Sequence, residues 1–201
     1  MELVVGARAP ELWSKLLRPV DRPAREALEL ARAPALRTAG LAAAGIALWS
    51  ASEELANGLL GAWGTFDALS GALESLAVAL PALIVFGVYA RLELGARALL
   101  AEQAVGLWTA GLVTACMLPL LAFLAEMSHG ELWALHLRGV LLPVTGLAVA
   151  TAVPLRILIT VDRSARARWL GRAFVSTVAV AFLFKLLLAF PWMLDLSARW
   201  D

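Results

Sequence analysis

Five apolar runs divide the chain, at 38–62, 70–90, 104–125, 138–160 and 171–194. Each is close to the roughly 20 residues that an α-helix needs to cross a bilayer core. The stretches between them are short, and basic ones alternate with nearly uncharged ones. This pattern predicts an all-α, polytopic membrane helix bundle of about five transmembrane helices over residues 38–201. A charged, amphipathic segment, residues 1–37, precedes it.

Basic residues give the threading. Residues 1–37 hold Arg8, Lys15, Arg18, Arg22, Arg25, Arg32 and Arg37. Arg91 and Arg97 follow the second run, and Arg163, Arg166, Arg168 and Arg172 follow the fourth. The opposite side has only Arg138 and Arg199. Loops rich in Lys and Arg stay in the cytoplasm, so the N-terminus is predicted inside and the C-terminus outside. Arg156, four residues from the cytoplasmic end of the fourth run, reaches that interface by snorkelling. Composition agrees: 61% of residues are hydrophobic and 16% charged, with mean hydropathy +0.80. Nothing supports nucleic-acid binding. The opening residues lack the features of a signal peptide, and Cys116 has no second cysteine to pair with. The Ala-, Arg- and Leu-rich composition suggests a bacterial source and the inner membrane as address.

Residues 1–37 read as two short helices. Leu12, Trp13, Leu16 and Leu17 form an apolar stripe on the first, which Pro19 closes. Asp21 caps the second, Pro23 suits its first turn and Pro34 ends it. Arg25 and Glu29 are four apart and Glu29 and Arg32 three apart, so the charged face pairs with itself. Two placements fit: a helix pair at headgroup level, or a cytoplasmic cap packed on the bundle.

Charged positions inside the runs carry the candidate chemistry. Glu53 and Glu54 lie in the outer half of the first run, Glu74 enters the second from outside, and Lys185 lies at a comparable depth in the fifth. A charge at mid-membrane costs roughly 2.5–3.5 kcal/mol, against a gain of about 0.3–0.6 for each Leu, Ile, Val or Phe. The fifth run has eleven such residues between Phe174 and Phe190 and can carry Lys185, whereas the first has six between Leu41 and Leu60. The first run therefore needs a partner, and Lys185 is the candidate of opposite sign. The four residues either line a polar cavity for an ion or polar substrate, or one glutamate pairs with Lys185 to fix helix packing. Ser50 stands at capping-box spacing from Glu53, so the first run can instead break near Ser50–Ser52.

Other features are structural by default. Pro81, Pro119, Pro143, Pro154 and Pro191 interrupt the later runs, which lipid tolerates where neighbouring helices satisfy the freed backbone. Gly40, Ala44, Gly45 and Ala47 on the first run, with Gly58, Gly61 and Gly64, permit close helix contact. Trp49, Trp63, Trp108, Trp133, Trp192 and Trp200 suit membrane interfaces or partner surfaces.

His129 and His136 are seven apart in the outer loop region, about 10 Å along a helix, too far to share one metal ion. Each could bind haem or metal only with a group from elsewhere. The chain has no metal-binding, nucleophile-elbow or phosphate-cradling motif, so it is predicted to be neither an enzyme nor a cofactor carrier.

The charged N-terminal segment contains Leu16, Leu17, Arg18 and Pro19, followed by five runs and an outside C-terminus. This layout resembles the bacterial members of the Yip1 family. The resemblance implies a five-helix membrane fold and a non-enzymatic scaffolding or partner-binding role, and it supplies no site residues. The leading reading is an accessory or scaffolding subunit of a larger membrane assembly, in contact with lipid and with other subunits or copies of itself. The alternatives are a small transporter or channel subunit using the Glu/Lys cluster, and a haem- or quinone-associated redox subunit resting on the two histidines.

Overall fold

The computed structural model describes residues 9–60, 68–89, 92, 95–127 and 132–189. Every regular element among them is an α-helix: α1 (Ala9–Asp21), α2 (Pro23–Arg32), α3 (Ala35–Leu60), α4 (Ala68–Tyr89), α5 (Ala96–Met127), α6 (Leu132–Val161) and α7 (Ala165–Ala189). Among the described residues four stretches are long and apolar enough to cross a membrane: Ser70–Tyr89, Ala96–Leu124, Leu141–Val161 and Ala165–Leu187. Helix α3 matches the first apolar run but does not join them. Its 26 residues include Arg37, Glu53 and Glu54, and alanine and glycine make up much of the rest. It is also unbroken at Ser50–Ser52, contrary to the capping expectation. The Ser52 hydroxyl donates back to the Leu48 carbonyl at 2.7 Å and stays within the helix.

Glycines set how closely the helices approach. Helix α3 packs most extensively along α5, where a Cβ at Gly45 would lie 2.6 Å from the Leu107–Trp108 backbone. From the other side, a Cβ at Gly111 would lie 2.5 Å from the Gly45 carbonyl. Gly40, predicted to belong to the same stripe, faces open space. Helix α5 then packs along α6, and α4 along α7, with α6 touching both of the latter. Trp49 is 0% exposed and lies against Gly146 of α6. It is therefore part of the core, together with Leu76, Leu107, Leu147, Phe174 and Phe182. This corrects its expected place at an interface: with no side chain at residue 146, the indole fits inside the bundle. Trp108 is half-buried, and the side chains of Trp13, Trp63, Trp133, Trp192 and Trp200 lie outside the described residues.

The N-terminal helices pack on the basic end of this bundle. Ala27 and Leu30 of α2 are buried against Ala101 and Val105 of α5 and Ile157 of α6. The Trp108 indole donates to the Leu16 carbonyl at 3.0 Å and ties α1 to α5. So α2 is a cap on the helices, while Leu16, Leu17 and Val20 of α1 remain exposed. Pro19 does not close α1, which continues to Asp21. A proline forfeits a single i→i−4 bond, and three residues on the Arg22 amide still bonds the Arg18 carbonyl at 3.0 Å. Nor does Asp21 cap α2: Arg22 holds that position, without a side-chain cap. Pro23 does open α2, and Ala33 turns extended just before Pro34.

An ion cluster joins the two short helices. Arg25 bonds Glu29 at 2.9 Å as the spacing predicts, and Arg18 of α1 reaches Glu29 at 3.0 Å and Glu26 at 3.3 Å. The Arg25 bond, aided by the Arg18, Arg25 and Arg32 charges, holds the Glu29 carboxyl below its ordinary value of 4.5.

Candidate functional site

Among the described residues, two polar features of the bundle are candidates for a site. The first is the set of charges at the end away from α2. Helices α4 and α7 run antiparallel, and this brings Glu74, two turns into α4, level with Lys185, just over a turn from the end of α7. The Lys185 ammonium makes a direct ion pair with a Glu74 carboxylate oxygen. The pair is on the outer surface of the bundle, with the side chains 45% and 53% exposed. Glu53 belongs to a different neighbourhood, because α3 packs on α5 and α6 and not along α7. It accepts a 3.1 Å bond from the Trp49 indole, one turn earlier on its own helix. Glu54, about 100° around the helix, is exposed.

The four charged residues thus do not share a site. Lys185 pairs with one glutamate, as one of the two readings held, but that glutamate is Glu74 and not one from the first run, which corrects the partner expected for that run. Depth can be counted along a helix, but which helices are neighbours depends on tertiary packing.

The second feature was missed in the sequence. A cavity of about 310 Å³ opens at the basic end, walled by α2, α3, α4 and α5. Leu30, Ala39, Leu80 and Leu107 supply apolar wall, and Thr38, Arg97 and Gln103 are its polar side chains. Alanines along α3 leave the room, and α3 and α4 have little direct contact. Gln103 is only 3% exposed, and its placement has a clear cause. Pro154 of α6 lacks the amide hydrogen that would normally bond the Ala150 carbonyl four residues back. The Gln103 Nε2 donates to that carbonyl instead, at 3.2 Å. Gly106, one turn along α5, permits the approach, since a Cβ there would lie 2.8 Å from the Pro154 ring. Gln103 Oε1 is left buried with no hydrogen-bond partner.

Glu102, its neighbour, is equally buried and has no hydrogen bond or ion pair among the described residues. It shares a helix face with Ala98 and Gly106, toward α6. The apolar run begins at residue 104, so both polar residues read as loop. The available signal was the helix itself: Ala, Leu, Glu and Gln from 98 to 104 are all strong helix formers.

His129 lies outside the described residues, as does the side chain of His136. Among the described residues no group of three or more His, Cys, Asp or Glu side chains could hold a metal ion. Comparison of the chain with protein-family models, curated proteins and solved structures finds no match.

Proposed function

We propose that this chain is a non-catalytic, multi-pass membrane protein that acts as an accessory or scaffolding subunit of a larger membrane assembly. The exposed Glu74–Lys185 pair carries this reading. Half of each side chain lies on the outer face of α4 and α7, where a bare bundle would present both charges to lipid. A charge there costs a few kcal/mol, and a helix of another subunit packed over the pair removes that contact. Because the four intramembrane charges do not converge on one cavity, they lend no support to a conducting path. The layout that resembles bacterial Yip1-family proteins supports the same scaffolding role.

In this proposal α3 is a fifth span. Its support is the company it keeps: Gly45 meets Leu107–Gly111 near one end of the α3·α5 contact, and Ala56 meets Leu121 near the other. Helix α3 thus follows α5 through the apolar layer. The basic ends of α3, α5, α6 and α7 then face the cytoplasm, and the composition favours a bacterial inner membrane.

The proposal is tested by a photo-crosslinking side chain at Val78, one turn beyond Glu74 and exposed. In native membranes it is expected to yield one discrete protein adduct, which E74K weakens and E74K/K185E restores. Crosslinking to lipid alone, unaffected by either change, would show that this face is bare and the reading wrong.

A further inference from the structure

We infer that the cavity at the basic end binds a single-chain anionic phospholipid, with its phosphate on Arg97, its glycerol hydroxyl on Gln103 Oε1 and its acyl chain between α3 and α4. The site is separate from the Glu74–Lys185 face and does not depend on the proposal made for it.

Each part of that ligand answers a different feature. Arg97 stands in the first turn of α5, exposed and without an ion pair among the described residues, so it offers its donors to an anion. Gln103 lies six residues further in, about 9 Å along the axis. Its amide nitrogen is committed to the Ala150 carbonyl, which fixes Oε1 as the free end and makes it strictly an acceptor. A buried acceptor calls for a donor. The backbone of a diacyl phospholipid has only ester oxygens on the chain side of its phosphate, and these cannot donate. A lysophospholipid has a free hydroxyl at that place. The remaining wall is Leu and Ala, and the cavity of about 310 Å³ is at the small end of the roughly 300–1,000 Å³ typical of ligand pockets, suited to one chain more than two. The gap between α3 and α4 gives the chain a route from the bilayer.

The test is native mass spectrometry of the full chain in non-ionic detergent, titrated with lysophosphatidic acid. A saturable 1:1 adduct is expected. R97Q should weaken it about five- to tenfold, as loss of a partly solvated charged hydrogen bond does. An alkyl phosphate of equal chain length, which lacks the hydroxyl, should bind severalfold more weakly to the unchanged protein. A39F, at an exposed alanine of the cavity wall, should remove the adduct. Glycerol 3-phosphate should not displace the lipid. Equal binding of the alkyl phosphate, an adduct that survives A39F, displacement by the headgroup alone, or binding of diacyl lipid only would each overturn the inference.

Discussion

A single missing side chain, at Gly146, decides where the Trp49 indole can lie. A methyl group at residue 146 would meet the buried ring, which has no solvent side to retreat to. G146A should therefore destabilise the protein by about 1–3 kcal/mol through overpacking, read as a lower unfolding midpoint in detergent. G40A, facing open space, is the matched control and should leave the midpoint unchanged or slightly raised. Equal midpoints for the two variants would mean that Trp49 is not wedged against α6. Legibility at this scale depended on how far apart the partners are in sequence. The Arg25–Glu29 bond could be read directly because helical spacing alone brings those residues together. The Lys185–Glu74 pair, 111 residues apart, could not. The lysine's depth and the first run's need for a partner were evident, but three glutamates lie near that depth and only packing chooses among them.

The apolar runs locate α3 to α7 well, because lipid requires long stretches of apolar residues and few charges interrupt them. The ends are less well located. Helices α5, α6 and α7 each begin some six residues or more before their apolar runs, since hydropathy marks where apolar residues start and a helix can begin among polar ones. Pro19, Asp21 and the Ser50–Ser52 stretch taught the same lesson on a smaller scale. Each is a local stop or start signal: α1 runs through Pro19 and α3 through Ser50–Ser52, while Asp21 ends α1 and leaves the cap position of α2 to Arg22. Helix α3 is the element whose role most affects topology. In a cysteine-free background, Leu36→Cys at its start should react with an impermeant maleimide only from the cytoplasmic side. Ser70→Cys, near the start of α4, should react only from the opposite side. If both react from one side, α3 does not cross and the bundle has four spans.

Taken whole, the molecule has two unlike ends. The basic end is elaborated: α2 caps the bundle, an ion cluster ties α1 to α2, and a cavity lies beneath. Toward the other end, an ion pair is presented on the bundle's outer surface. The charge pattern foretold the first end in outline, although the cavity depends on alanines of α3, Leu80 of α4 and Gln103 of α5, which no local motif connects. What covers the ion pair is the question on which the account turns. The most direct measurement is the native mass of the protein after gentle extraction from its own membranes, with identification of any chain that accompanies it. The account predicts a complex well above the 21.4 kDa of the single chain, with at least one different membrane subunit in fixed stoichiometry. A lone 21.4 kDa monomer, or an oligomer of this chain alone, would contradict it.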